Sequence, residues 1–214
     1  ALICVLLWST VASGFKLGLE HFAVEQLLFL GTCISWLVFL CYAIVTNQLA
    51  LAASDRALAV GLGLINPTAY YLILFAAYDR LPAHIAQPIN YTWAITLALL
   101  AVPILGQRLT LRSLWGILTS YLGVVILVTT TPGEAGSIST QGVALALLST
   151  VLWASYWLLN TRSTAAPASL MFWSFSLALP IISVICWYGP GLPNLNLQAL
   201  GFAFWIGAIE MGIT

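Results

Sequence analysis

Long apolar runs, most about twenty residues long and separated by short polar breaks, dominate the chain. A helix needs about 20 mainly apolar residues to cross the hydrocarbon core of a bilayer. Eight stretches approach that length: 1–18, 25–45, 57–78, 83–105, 111–129, 141–160, 168–188 and 197–214. Their ends are set only to within several residues. None alternates apolar and polar positions over about 10 residues, as the strands of a membrane barrel do. The pattern predicts an all-α polytopic membrane protein. Most connections are short and predict antiparallel neighbours. The longer ones are Thr46 to Arg56, the Pro/Gly/Ser-rich Thr130 to Thr140, and Tyr188 to Asn196.

Composition supports the bilayer as solvent. Of 214 residues, 62% are hydrophobic and 6% charged, against roughly 25% charged in soluble domains. Six basic and six acidic residues give a formal net charge of zero. That excludes nucleic acid, which calls for clustered Lys and Arg. Cys4, Cys33, Cys41 and Cys186 all fall in apolar runs without a CxxC and read as small buried hydrophobes, not as metal ligands or disulfides. His21 and His84 have no ligand-spaced partner, so no metal or cofactor is expected. The first run opens at Ala1 and the last is still apolar at Thr214, so a longer parent chain is expected.

Lys and Arg set the expected orientation. With the amino terminus cytoplasmic, Arg56, Arg108, Arg112 and Arg162 lie at inner loops, and Lys16 and Arg80 lie outside. Asp79 and Arg80 then form a solvated ion pair in an outer hairpin. The chain also repeats itself. Leu7-Trp8-Ser9-Thr10 resembles Leu152-Trp153-Ala154-Ser155 at an offset of 145, and near it Gly61 and Thr68 align with Gly207 and Thr214. Five helices per copy is odd, so the second copy enters the membrane upside down, an inverted repeat of the kind secondary transporters use. The units expected are 1–130, with five helices, and 141–214, with three of five.

Several motifs carry a family resemblance. Gly106-Gln107-Arg108-Leu109-Thr110 follows the fourth run; Leu114-Trp115-Gly116-Ile117 and Gly123-Val124-Val125 fill the fifth; Trp8-Ser9-Thr10 through Lys16 opens the first. Together these resemble the EamA-like transporters of the drug/metabolite transporter superfamily, most closely from Gly61 to Val128. Gln107 replaces the usual Glu, which removes any ion pair at that turn. Asn90-Tyr91-Thr92-Trp93-Ala94 resembles the branch containing aromatic amino acid exporters, with Ala94 where many members have Pro. The resemblance implies ten helices, both termini in the cytoplasm of what we expect to be a bacterial inner membrane, a central cavity between two halves, and metabolite export by alternating access.

Polar groups inside a bilayer are costly, so each needs a reason. Glu210 lies well inside the eighth run and suits a substrate amine or a transported proton; the structural alternative is a carboxyl bonded to a neighbouring helix. Gln87, Asn90 and Tyr91 share one face of the fourth run, as a polar cavity wall or as interhelical glue. Asn66 and Tyr70 share a face of the third run. Between them Pro67 lacks a backbone donor and frees the carbonyl of Gly63, which reads as a binding break or an ordinary kink. Trp8 and Trp153 occupy equivalent repeat positions and predict walls of a shared cavity, or packing. Tyr156 and Asn160 could join that cavity. Lys16 reads as snorkelling, with a role toward an anionic substrate as the alternative. Gly14/Gly18, Gly116/Ser120 and Thr119/Gly123 read as close helix packing.

One acid, several amides and many rings point to a small-molecule substrate, an amino acid before a cationic drug, and disfavour phosphates, which call for clustered Arg or Lys. A membrane enzyme has no support: HExxH and GxSxG are absent. A non-transporting scaffold would need neither Glu210 nor the polar stripe. Two halves in one chain make a working monomer the expected state.

Overall fold

The structure, a computed structural model, describes residues 2–130, 138–194 and 197–213. Thr214, most of the Pro/Gly/Ser segment after Thr130, and the two residues before Leu197 lie outside the described residues. Eight helices follow one another, and no strand occurs among the described residues. They are α1 (Leu2–Leu19), α2 (Val24–Val45), α3 (Ala53–Arg80), α4 (Ala83–Leu105), α5 (Leu111–Thr130), α6 (Thr140–Asn160), α7 (Pro167–Tyr188) and α8 (197–213). Each predicted run is a helix. Among them, α2, α3, α4, α6 and α7 are long and apolar enough to cross a membrane. The largest difference is at α3, which starts at Ala53 and takes Asp55 into its first turn. A carboxylate there meets the positive end of the helix dipole.

The ends follow from local chemistry. Gly106 stops α4 in the left-handed region at φ 68°, where a side chain is penalised. Its N–H bonds Val102 O at 3.0 Å, the bond of an αL cap, and the Gln107 N–H reaches Ala101 O at 3.4 Å. Four residues on, the Thr110 hydroxyl accepts the Ser113 N–H at 3.1 Å and caps the start of α5. The Gly-Gln-Arg-Leu-Thr signature is thus a helix stop followed by a helix start.

Three helices are irregular inside. In α3 a wide turn spans Leu64–Ala69, with Asn66 extended at φ −138° and ψ 116°. The Gly63 carbonyl freed by Pro67 accepts the Thr68 hydroxyl at 2.8 Å. In α8 a wide turn spans Trp205–Ile213, and the Gly207 carbonyl accepts the Ser35 hydroxyl of α2 at 2.7 Å. In α4 the backbone tightens at Thr92, whose N–H bonds Ile89 O at 3.1 Å.

Packing follows a pattern. The largest interfaces pair α2 with α7, α3 with α6 and α7, α2 with α8, and α4 with α6, while α1 packs on α8. Exchanging α1 with α6, α2 with α7 and α3 with α8 leaves α2–α7 unchanged, swaps α3–α7 with α2–α8, and swaps α3–α6 with α1–α8. Gly63 lies so close to the Ser174 carbonyl of α7 that a Cβ would collide with it, and a Cβ on Gly207 would stand 2.6 Å from the Gly31 carbonyl of α2. Ser169 of α7 bonds Ala50 O in the α2–α3 loop at 2.7 Å; Gln26 of α2 bonds Gly191 O in the α7–α8 loop at 3.0 Å. Asp55, 6% exposed, accepts the Ser163 hydroxyl of the α6–α7 loop at 3.1 Å. On the other membrane face His21 of the α1–α2 loop stacks on Phe202 of α8, with ring centroids 5.7 Å apart.

The core between α1, α3 and α4 is aromatic. Phe15 meets Phe75 and Tyr78 edge-on at 5.0 and 5.2 Å, the orientation that ring quadrupoles favour. Two readings need correction. Gly14 and Gly18 do pack closely, against Trp205 and Leu27, whereas Gly116 and Gly123 have nothing within 4 Å. Thr119 and Ser120 spend their hydroxyls on carbonyls of their own helix, so the small face of α5 meets no partner among the described residues. Cys186 is buried, but Cys33 is half-buried and Cys41 exposed.

Candidate substrate cavity

Two adjoining compartments lie between α1, α3, α4, α6 and α8. The smaller, about 40 Å³, is walled by Trp8, Tyr70, Gln87, Asn90, Tyr91, Trp93, Trp153 and Glu210 with Val11, Phe15 and Leu74. The larger, about 200 Å³, is walled by Trp8, Asn66, Trp153, Tyr156 and Glu210, with Phe39, Tyr71, Trp157, Met171, Phe175, Met211 and Gly212. Trp8, Trp153 and Glu210 face both, so they form the partition. Of the residues singled out from the sequence, Trp8, Asn66, Tyr70, Gln87, Asn90, Tyr91, Trp153, Tyr156 and Glu210 line one compartment or the other.

The walls are held by specific contacts. Trp153 stacks on Tyr70 at 4.6 Å and on Tyr156 at 5.5 Å. It also meets Trp93 and Trp157 edge-on at 6.4 and 6.1 Å. One indole thus joins four rings from α3, α4 and its own α6. Asn90, 5% exposed, donates from Nδ2 to the Ser149 hydroxyl at 3.0 Å, with the Tyr70 oxygen at 3.5 Å. Ser149 passes its proton to Ala146 O at 2.6 Å. The Tyr78 hydroxyl donates to Gln87 Oε1. The amide stripe therefore does both things expected of it: it faces the cavity and ties α4 to α3 and α6. Glu210 sits in the wide turn of α8, part-buried between the two compartments.

The structure divides some residues that the helical period put together. Asn66 and Tyr70 share a face only if α3 is regular; the extended Asn66 rotates them into different compartments. Trp93 lay off the expected stripe, yet it lines the smaller compartment because the tightened turn at Thr92 brings it round. Asn160 lines neither compartment. Lys16 donates to the Tyr78 carbonyl and does not reach either compartment. The Gly63 carbonyl, a possible ligand for substrate at the break, is occupied by Thr68. Met171 and Met211, which the sequence reading missed, carry no periodic or motif signal; only the packing of α7 and α8 brings them here.

A model of the EamA-like transporter family matches residues 1–129. The chain belongs to the EamA-like transporter family. This EamA-like protein is accordingly an integral membrane transporter of the drug/metabolite transporter superfamily, acting on a small molecule in a lipid environment. A solved crystal structure superimposes with a TM-score of 0.66, covering 98% of this chain and 77% of its own, at 20% identity. Likeness at that identity speaks for the fold alone. No curated protein matches the chain.

Proposed function

We propose that this EamA-like protein is a secondary transporter that exports small metabolites bearing an amino group, amino acids among them, by alternating access through the two-compartment cavity. The observation that carries this reading is the partition. A carboxylate, Glu210, and two indoles, Trp8 and Trp153, all face both compartments. A carboxylate and indole rings lining one cavity suit an ammonium, by ion pairing and by cation–π attraction. A substrate held there is within reach of either side.

The paired contacts of α2–α8 and α3–α7 support two related halves, 1–130 and 141–214, of opposite orientation. So does the matching of Ser169–Ala50 with Gln26–Gly191. Rocking of such halves is the usual route to alternating access. The charge pattern supports a cytoplasmic amino terminus: Arg56, Arg108, Arg112 and Arg162 gather on the Asp55 face, and Glu20, Glu25 and Asp79 on the other. A cationic drug is the second reading, favoured by the rings around Trp153.

The test is counterflow in proteoliposomes holding the full-length protein, with amino acids and amines offered in turn. Saturable exchange of amine-bearing compounds is expected, reduced at least about 10-fold by Glu210→Gln, which keeps the shape but removes the charge partner. Exchange that is unchanged in Glu210→Gln removes Glu210 from the site, and exchange of none of the compounds refutes the reading.

A further inference from the structure

The larger compartment holds a hydrogen-bond acceptor with no donor. Asn66 is 6% exposed, its side chain lines the compartment, and its Oδ1 is buried without a hydrogen-bond partner. Buried polar groups are almost always paired, so an unpaired one calls for an explanation. The Asn66 side chain hydrogen-bonds the Tyr156 hydroxyl, but that hydroxyl directs its own proton to Met171 Sδ at 3.3 Å, and the Thr68 hydroxyl, two residues on, is taken by Gly63, so neither donates to Asn66 Oδ1.

The surrounding chemistry favours acceptors and rings. Glu210 lines the same compartment, as do the rings of Trp8, Trp153, Tyr156 and Trp157. No Lys, Arg or His lines either compartment among the described residues. Lys16 is directed to the Tyr78 carbonyl, and the Nδ2 of Asn90 to Ser149. An ammonium offers three N–H donors and no acceptor, so it fits Asn66 Oδ1 and Glu210 together. A carboxylate placed here meets no cation, and burying an unpaired charge is strongly unfavourable.

We propose that the compartment at the α3 break binds the ammonium of an aromatic amine lacking a carboxylate, with Asn66 Oδ1 and Glu210 as joint acceptors and the surrounding indoles against its ring. This deepens the transport reading and rests on it. It keeps the amine-bearing substrates of that reading and excludes from this compartment the amino acids, which are zwitterions.

The test is calorimetric titration of the full-length protein in detergent with 2-phenylethylamine and with L-phenylalanine, which differ by the carboxylate alone. The amine is expected to bind at least about 10-fold tighter than the amino acid. Asn66→Leu is expected to weaken the amine at least about 10-fold, and Asn66→Asp, which retains an acceptor, to bind it no more weakly than the unaltered protein. Phenylalanine binding as tightly as the amine overturns the proposal, as does binding of neither. Amine binding unchanged in Asn66→Leu, or lost equally in Asn66→Leu and Asn66→Asp, overturns it too. The first comparison uses no variant and so does not depend on how the variants fold. Those failures leave saturable counterflow of other amine-bearing compounds standing, whereas absence of all counterflow is the failure of the transport reading itself.

Discussion

Single positions separate sharply by what surrounds them. Gly63 and Gly207 press against carbonyls of α7 and α2, while Gly61 and Gly116 have open space within 4 Å. Gly63→Ala and Gly207→Ala are therefore expected to destabilise by about 1–3 kcal/mol through overpacking. Gly61→Ala and Gly116→Ala should leave stability within about 0.5 kcal/mol. Thermal unfolding of the four purified variants, followed by loss of the monodisperse peak, checks this ordering. Thr32 is fully buried and its hydroxyl has no hydrogen-bond partner. Thr32→Val keeps the shape and removes the unpaired group, so it should be neutral or stabilising in the same assay. The sequence showed which residues are polar inside the bilayer; Gln87, Asn90, Tyr156 and Glu210 line the cavity and Asn160 does not. It did not show which of their atoms are already engaged. The engagement of Lys16 with Tyr78 and of Asn90 with Ser149 arises from contacts between distant helices, which no local pattern encodes.

At the scale of the helix, length and hydropathy were enough to place every helix, five of them long and apolar enough to cross a membrane among the described residues, because a bilayer tolerates little else than a long apolar helix. The interruptions were only partly legible. Pro67 announced the break in α3, since it removes a donor wherever it stands. The extended Asn66 follows from the same proline, which disfavours the helical region for the residue before it. The wide turn in α8 carries no such mark; α8 has no proline, and the Ser35 hydroxyl of α2 reaches the Gly207 carbonyl there. The small-residue faces illustrate the same limit: small residues four apart occur in both α1 and α5, but only the α1 glycines have a close neighbour there. The α4–α5 junction, by contrast, is local and fully readable. Gly106→Val should cost about 1–2 kcal/mol or more, because the left-handed conformation penalises a side chain, most of all a branched one. A lowered Tm in Gly106→Val beside an unchanged Tm in Gln107→Ala would confirm that the signature acts through its backbone.

For the molecule as a whole, the two membrane faces are fastened differently. Asp55 and Ser163 join α3 to the α6–α7 loop by a hydrogen bond, and His21 and Phe202 join the α1–α2 loop to α8 by ring stacking. If the halves rock, one fastening must part while the other holds. Asp55→Cys with Ser163→Cys, oxidised to a disulfide, is expected to arrest counterflow, and a reductant to restore it; activity unaffected by the cross-link would mean that this contact stays closed throughout the cycle. The backbone contacts nearer the middle of the membrane impose a further condition. At Gly63 against Ser174 and at Gly207 against Gly31 the nearest atom is a backbone carbonyl oxygen, with the Ile34 side chain also against Gly207, so sliding along the helices meets peptide groups head-on. Two points that cannot slide define a line. Any motion that keeps both contacts is a turn about that line, which makes the pair an axle: the cavity walls farthest from it sweep the widest arc, and the helices that carry it stay nearly still.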